Sequence, residues 1–343
     1  MRKGRDLIEA SRAFAAENPV RSWWYVVSTI GLLAGAAIAL AQPVFWPLRL
    51  ALSVLTGLTI VRGFILYHDY MHGALLRGSS LARMVLYPLG VLVMTPPKVW
   101  RETHNYHHAH TAKLVGSNIG SFATMTTQQW AEATPAQRRH YKLVRHPLTV
   151  LFAYFTVFMS EMCLMSFVRS PRKRWDSLIA LLFNWAMTAL IIATLGLPAF
   201  FFAYFLPLFV ACMTGAYLFY AQHNFDGLHI QKREDWSYER AALESSSYME
   251  TGPVMGWFTG NIGYHHVHHL NPTIPFYRLP EAMAAIPELQ GAGCTRLCLR
   301  DIASNFRLKL WDCSQGRMVG YPQAAARTRP PACAGGGQPV PSA

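Results

Sequence analysis

Most histidines of this sequence fall in three short clusters. Ten of the fourteen lie in the segments HDYMH (68–72), HNYHHAH (104–110) and HHVHH (265–269). Within each segment the histidines recur at separations of three or four residues, and on a helix such positions share one face. Each cluster therefore predicts several imidazoles that face a common metal centre.

One more histidine, His223, directly follows an apolar run that is long enough to span a membrane, and we expect it to be an additional ligand. Nine imidazoles are too many for a structural zinc site with four ligands, so they predict a centre with two metal ions. Imidazole suits iron, copper, zinc and nickel, so the spacing alone does not choose the metal. The predicted ligands are His68, His72, His104, His107, His108, His223, His265, His268 and His269.

Other polar residues adjoin these ligands without sharing their spacing. His110 and His266 lie beside the clusters, where supporting or surface roles are as well founded as ligation, and the role of His229 stays open. Asp69 and Asp226 neighbour candidate ligands. Each carboxylate can orient an imidazole through its second ring nitrogen, or can be a solvated group or a helix cap.

Long apolar runs must position these clusters. The chain is 52% hydrophobic and 14% charged, against roughly 25% charged residues in an average soluble domain. Runs at about 23–41, 48–67, 177–195 and 198–221 are each near the ~20 residues that a helix needs to cross a bilayer. We predict an all-α integral membrane protein with four transmembrane helices in two hairpins, the second turning at residues 196–198.

The topology of a further apolar stretch, residues 147–167, follows from the charges around it. If it also spanned, the basic run at 169–174 would face outward and His223 would lie opposite the other clusters. We therefore expect an interfacial or re-entrant helix. Every histidine cluster then lies on one cytosolic face, in a histidine-rich di-iron cap if the metals are iron.

Three regions are predicted along the chain. Residues 1–22 form a cytosolic N-terminal segment, and residues 23–320 form the membrane domain. Residues 321–343, rich in Pro, Ala and Gly, are typical of a disordered tail.

The net charge of +13 does not indicate nucleic-acid binding, because the basic residues alternate with apolar runs and form no single patch. A basic cytosolic face is expected to dock either an acidic electron carrier or the anionic lipid surface. Its members are Arg101, Lys113, Arg138, Arg139, Lys142 and Arg145.

The clusters resemble the three histidine boxes of the membrane fatty acid desaturase family, H-x(3,4)-H, H-x(2,3)-H-H and [HQ]-x(2,3)-H-H. Residues 257–282, WFTGNIGYHHVHHLNPTIPFYRLPEA, are similar to the bacterial and plant acyl-lipid branch that includes omega-6 (delta-12) desaturases. The segments HGALLRGS, TPPKVWRETH, AQHNFD and ERAALESSSY are similar to the same branch. The resemblance covers about residues 60–285. It implies two iron ions held by the boxes and by His223, which matches the extra histidine after the fourth spanning helix.

The resemblance implies an enzyme that uses O₂ and electrons to introduce a cis double bond into an acyl chain of a membrane lipid. It also implies an integral protein of a bacterial inner (cytoplasmic) membrane. Since no GxGxxG follows a strand and no four-cysteine set occurs, the electrons are expected from an external donor such as ferredoxin or another small redox carrier.

Two alternatives stay open from the residues. Tyr70 and Met71 stand where the acyl-lipid branch often has Cys-Gly, which leaves room for a related di-iron hydroxylase, acetylenase or epoxygenase acting on a lipid, alkane or carotenoid. A metal transporter would need ionisable residues in its spans. Residues 178–195 and 199–220 contain no Asp, Glu, Lys, Arg or His, which disfavours transport.

Overall fold

The computed structural model describes residues 2–114 and 119–322, and most of them are helical. The α-helices are α1 (Arg5–Ser11), α2 (Pro19–Ala41), α3 (Trp46–His72), α4 (Ser80–Leu92), α5 (Pro97–His110), α6 (Thr127–Glu132), α7 (Pro135–Val144), α8 (Pro147–Leu151), α9 (Ser166–Arg169), α10 (Trp175–Phe200), α11 (Leu206–Gln222), α12 (Tyr238–Ser245), α13 (Gly252–Phe258), α14 (His265–Leu270), α15 (Leu279–Ala285) and α16 (Leu299–Arg307). Stretches of π-helix cover Tyr154–Met165 and Phe201–Phe205, and short 3-10 helices cover Arg12–Phe14, Phe276–Arg278 and Pro287–Gly291. The strands are β1 (Met125–Thr126), β2 (Tyr248–Glu250), β3 (Cys294–Arg296), β4 (Leu310–Asp312) and β5 (Arg317–Val319).

Helices α2 and α3 form the first predicted hairpin. Helix α2 begins where the side chain of Asn18 accepts a hydrogen bond from the backbone N–H of Arg21, with Pro19 in the first turn. Helix α3 ends at Gly73, whose φ of 72° is left-handed. Because α3 continues beyond the predicted span as far as His72, its last turns carry the first histidine cluster.

The second hairpin turns at Gly196. The apolar stretch Trp175–Gln222 is helical almost throughout, but Gly196 has φ 81° and ψ 171°. The hydroxyl of Tyr204 donates to Oδ1 of Asn184 at 2.9 Å, although 20 residues of straight helix would separate them by ~30 Å. The chain therefore folds back at Gly196, as predicted. Of the three apolar helical stretches long enough to span that the described residues contain, this one supplies two spans.

Helix α3 lies at the centre of the bundle and packs closely on α11. At Gly57 an added Cβ would lie 2.7 Å from the backbone oxygen of Pro207, so the two backbones approach as small residues allow in membrane helices. Helices α2 and α10 instead expose apolar side chains, among them Trp24, Ile38 and Trp185. These two helices present the lipid-facing surface.

The helical segment of residues 147–169 has both ends on the histidine side of the bundle. Just before it, Arg145 binds Oδ1 of Asn224, which follows α11. Just after it, Asp176 accepts a hydrogen bond at 2.8 Å from the backbone N–H of Lys98, at the start of α5. This arrangement is the one that an interfacial or re-entrant segment requires.

Five short strands occur in the cap within the described residues, and nothing in the sequence pattern predicted them. Strands β2 and β3 pair in parallel, and β4 lies between parallel β1 and antiparallel β5. The N–H of Met249 in β2 donates to the carbonyl of Gly263 at 2.7 Å. A Cβ at Gly263 would lie 2.3 Å from the Met249 oxygen, so only glycine permits this contact beside the third cluster.

The two ends of the chain differ in what the structure describes. The N-terminal segment packs against the cap, where Nδ2 of Asn271 donates to Oγ of Ser11 at 3.0 Å. Of the predicted C-terminal tail, Tyr321 packs on the ring of Trp130, and residues 323–343 lie outside the described residues.

The turn at Gly196 can be tested by a conservative substitution. Its backbone conformation is one that residues with a Cβ adopt at a cost of about 1–3 kcal/mol. We therefore expect Gly196→Ala to lower the free energy of unfolding by about that amount, measured by SDS titration of the protein in detergent micelles. Gly215→Ala is the control, because Gly215 is helical with open space at its Cβ position. An equal loss in both variants would contradict the assignment of the turn.

Candidate metal centre

The nine predicted ligands come together in two adjacent groups. Within each group the candidate ligand nitrogens all lie within 4.8 Å of one another. The first group is His68, His72, His104, His108 and His268, and the second is His107, His223, His265 and His269. The groups adjoin, since the rings of His108 and His269 stack with centroids 4.2 Å apart.

Four elements bring these imidazoles together. Helix α3 ends with His68 and His72, and α5 sends His104 and His108 to the first group but His107 to the second. The remaining candidate ligands come from α14 and from His223, which directly follows α11. Helical spacing therefore explains how α5 and α14 each serve both groups, because neighbouring positions point in different directions.

The nitrogens are spaced as ligands of a shared cation. In the first group Nε2 of His104 lies 3.2 Å from Nε2 of His68 and 3.1 Å from Nε2 of His108. In the second group Nε2 of His223 lies 3.0 Å from that of His107 and 2.9 Å from that of His265. With metal–imidazole bonds of ~2.1 Å, as for zinc, neighbouring ligands lie ~3.0 Å apart at right angles and ~3.4 Å apart in a tetrahedron.

Hydrogen bonding between the rings does not account for this packing. Nδ1 of His223 lies 3.0 Å from the backbone oxygen of Ser245, which only accepts, so this nitrogen carries the proton and Nε2 presents a lone pair. That single lone pair faces two other ring nitrogens. In the first group Nε2 of His72 is buried and has no hydrogen-bond partner within the described part of the chain. A metal ion in each group satisfies these atoms, so the donor set fits two metals.

Burial keeps these histidines in the form that binds metal. Among the candidate ligands outside the membrane-spanning helices, it lowers the pKa of the following well below the ordinary 6.5, and the neighbouring imidazoles lower it further: His104, His107, His108, His265, His268 and His269. Burial also lowers the pKa of His223 to about 4. At neutral pH these rings are therefore neutral, as metal coordination requires.

The carboxylate of Asp69 orients the first group. Its Oδ1 lies 3.0 Å from Nδ1 of His68, and its Oδ2 accepts the backbone N–H of Phe276 at 2.7 Å. Asp69 therefore fixes the His68 ring and ties α3 to the segment after the third cluster. Asp226, the other carboxylate singled out from the sequence, is exposed, in contrast to the buried Asp69.

The three histidines whose roles were open lie outside both groups. His110 stacks on Tyr106 at 3.9 Å, and its Nδ1 lies 2.9 Å from the Tyr106 carbonyl oxygen. Nε2 of His266 donates to the carbonyl of Leu289 at 3.0 Å. The ring of His229 packs edge-on against Trp311. His266 and His229 thus connect separate segments around the centre, whereas the contacts of His110 are within α5.

Trp100 was not singled out from the sequence. Its buried ring stacks on His104 with centroids 4.3 Å apart and meets His68 edge-on at 5.4 Å. It precedes His104 by four residues in α5, and that spacing was the available signal.

The prediction that Arg145 belongs to an exposed basic face was wrong. Arg145 is 1% exposed and donates to Oδ1 of Asn224 and to the carbonyl of Ala123. Its guanidinium satisfies buried backbone and amide oxygens, a role that charge counting does not reveal. Arg139 and Lys142 are exposed, as predicted.

Comparison with known proteins decides the family. The sequence matches the model of the fatty acid desaturase family over residues 44–297, more than half of the chain. The chain belongs to the fatty acid desaturase family. The resemblance seen in the histidine boxes is thereby confirmed, and together with its long apolar helices the family makes this a membrane protein.

Individual family members are similar over most of the chain. A fatty acid desaturase of Bacillus subtilis (strain 168) is 28% identical over 326 residues, covering 93% of this chain and 91% of that protein. The sn-1 oleoyl-lipid 12-desaturase of Picosynechococcus sp. is 22% identical, covering 84% and 83%. A chloroplastic sn-2 acyl-lipid omega-3 desaturase (ferredoxin) of Arabidopsis thaliana is 27% identical, covering 80% of this chain and 63% of that protein.

Metal content separates the grouped histidines from their neighbours. We expect His72→Ala and His269→Ala each to lower the metal bound per chain, because each removes one nitrogen of a group. His110→Ala, on the same helix as three grouped histidines, should leave the metal content unchanged. Inductively coupled plasma mass spectrometry of the purified protein measures this. Equal metal in all three variants would contradict the grouping.

The role of Asp69 predicts a subtler effect. In Asp69→Asn the amide oxygen can still accept the Phe276 N–H, but the amide N–H₂ would face Nδ1 of His68 and favour the tautomer with its proton on the ligand nitrogen. We expect metal affinity to fall about 10–100-fold in a chelator competition, while the protein stays folded. Asp226→Asn is the control, and a similar loss there would show that the effect is not specific.

Proposed function

We propose that this chain is an O₂-dependent acyl-lipid desaturase that introduces a cis double bond into an acyl chain of a membrane lipid. The observation that carries the proposal is the pair of adjacent, buried, all-imidazole groups at the ends of membrane-length helices. The names of the relatives support it, since several are acyl-lipid desaturases.

We assign the two metal positions to iron, with His68, His72, His104, His108 and His268 holding one ion and His107, His223, His265 and His269 the other. Neutral imidazoles without a thiolate suit iron. When bound, the iron pair supplies the O₂ chemistry that removes hydrogen from an unactivated methylene, which offers no acidic proton for acid–base catalysis.

The reaction balances with an external reductant. One –CH₂–CH₂– unit, O₂, two electrons and two protons give –CH=CH– and two water molecules. An electron carrier must therefore dock, and we propose ferredoxin or a similar small acidic protein. The exposed Arg139 and Lys142 offer it positive charge.

The protein orients the ligands and excludes water from the metal centre. The buried ligands and the Trp100 ring keep bulk water from the centre, which prevents side reactions of reactive species. Asp69 and the Ser245 carbonyl hold the rings of His68 and His223 so that Nε2 faces inward. Apolar helices deliver the acyl chain from the bilayer. We place the histidine boxes on the cytosolic side of a bacterial cytoplasmic membrane.

The test is the acyl product. Expressed with ferredoxin and its reductase in a host rich in saturated and monounsaturated lipids, the intact chain is expected to yield a new unsaturated fatty acid by gas chromatography with mass spectrometry. The variant with His268→Ala and His269→Ala should yield none, because it removes one nitrogen from each group. His110→Ala should retain the product.

Other outcomes separate the alternatives. New hydroxylated or epoxidised acyl chains would replace desaturation by another reaction at the same centre. No new acyl species from protein that holds two irons per chain would contradict an acyl substrate.

A further inference from the structure

A pocket lies close to the first group of histidines, since Phe276, which lines it, donates its N–H to Asp69. It has a volume of about 220 Å³ and lies between the first two turns of α2, the second half of α3, α13 and the 3-10 helix Phe276–Arg278. Its lining combines two arginines with four aromatic rings: Arg21, Arg62, Tyr25, Trp257, Phe276 and Tyr277.

Arg62 brings a buried positive charge to this pocket. It lies within a predicted membrane span and is 2% exposed, and no described carboxylate lies within ion-pair distance of it. Its Nη1 donates to the carbonyl of Trp257, whereas its buried Nε has no partner among the residues described. An uncompensated charge in such a place is costly, and intramembrane charges mark functional sites.

Aromatic rings hold both guanidinium groups in place. That of Arg62 lies 4.2 Å from the ring centre of Trp257, and that of Arg21 lies 4.6 Å from that of Tyr277. Glu281 is close enough to influence Arg21 electrostatically, but its two oxygens are held at 2.9 Å by Arg278. The pocket therefore keeps a net positive charge.

The surroundings of the pocket are those of a membrane interface. On α13, Val254 is 67% exposed and Trp257 is 41% exposed, and on α2 Val20 and Trp24 are exposed beside Arg21. Exposed tryptophan together with arginine is typical of the headgroup level of a bilayer. An occupant must therefore pair an anionic group with apolar chains.

We propose that Arg21 and Arg62 bind the phosphate group of a membrane phospholipid, whose acyl chain is then offered to the metal centre. Guanidinium groups bind phosphate through paired N–H groups in a fixed plane, which suits them to this ligand. The inference rests on the proposed function for the fate of the chain, but the phosphate site itself is testable by binding alone.

Hydrogen bonds connect the pocket to one of the candidate ligands, His68. Phe276 lines it and donates its N–H to Asp69, which holds His68. Arg62 precedes His68 by six residues, ~9 Å along the helix. A phosphate bound at Arg62 would hold the headgroup end of the lipid at a fixed distance from the imidazoles. The position of a carbon along the acyl chain, measured from the headgroup, would then determine whether it reaches the metals.

Binding to the iron-loaded full chain in detergent tests the site. Native mass spectrometry would compare phosphatidylglycerol with diacylglycerol carrying the same acyl chains. We expect the intact protein to retain phosphatidylglycerol at least tenfold better, as one or more charge-assisted hydrogen bonds would give. Arg21→Gln and Arg62→Gln should each remove most of that preference and leave the iron content unchanged.

Arg49→Gln is the matched control. Arg49 is in the first turn of α3, at the opposite end of the helix, where it lies over the ring of Phe202 and donates to the carbonyl of Gln42. This variant should keep the full preference for phosphatidylglycerol. If Arg62→Gln fails to fold, the exposed Arg21 still decides the question.

Three results would overturn the proposal. Equal retention of both lipids by the intact protein would exclude a phosphate site. A preference that survives Arg21→Gln would show that Arg21 only packs on Tyr25 and Tyr277 and binds no phosphate. Inorganic phosphate that binds as tightly as phosphatidylglycerol would assign the site to a free anion. Phosphate-dependent binding without any turnover would leave this site standing and refute the proposed reaction instead.

Discussion

Nitrogen lone pairs that meet at about 3 Å repel one another unless a cation lies between them, and the cap of this protein gathers nine imidazoles under that constraint. Nε2 of His223 faces two such nitrogens while its Nδ1 proton is held by a backbone carbonyl. Burial keeps the rings neutral, so protonation does not relieve the crowding at neutral pH. The arrangement is therefore complementary to bound metal. We expect the positions of α3, α5, α11 and α14 relative to one another to depend on that metal.

Those elements come from distant parts of the chain, and polar contacts outside the two groups set their positions. Asp69 joins α3 to Phe276, and His266 joins α14 to Leu289. Arg145 connects the start of residues 147–169 to Asn224, next to His223. Each is a buried polar group with at least one hydrogen bond to a residue far away in the chain. Such networks favour one geometry, because a partly satisfied alternative leaves a buried donor or acceptor unpaired.

Arg62 is less well satisfied than Arg145, because its buried guanidinium donates only to the Trp257 carbonyl among the described residues, whereas that of Arg145 donates to several backbone and side-chain oxygens. The same reasoning that assigns metals to crowded lone pairs assigns an anion to this cation. At the histidine groups the protein lacks a cation between the nitrogen lone pairs, and at Arg62 it lacks an anion beside the guanidinium. The two places are joined through Phe276 and Asp69, so a lipid headgroup and the metal centre would share one rigid connection.

The sequence alone determined the four spans, the turn at Gly196 and all nine grouped histidines, because hydrophobic length and helical spacing are local properties. Only the tertiary structure decided how the histidines divide between the two groups, since that division depends on how four separated elements approach one another. It likewise placed Arg145 in the interior, packed Trp100 on His104 and left Arg62 without an ion pair to any described carboxylate. These outcomes follow from contacts between residues far apart in the chain, and no pattern within one segment contains them.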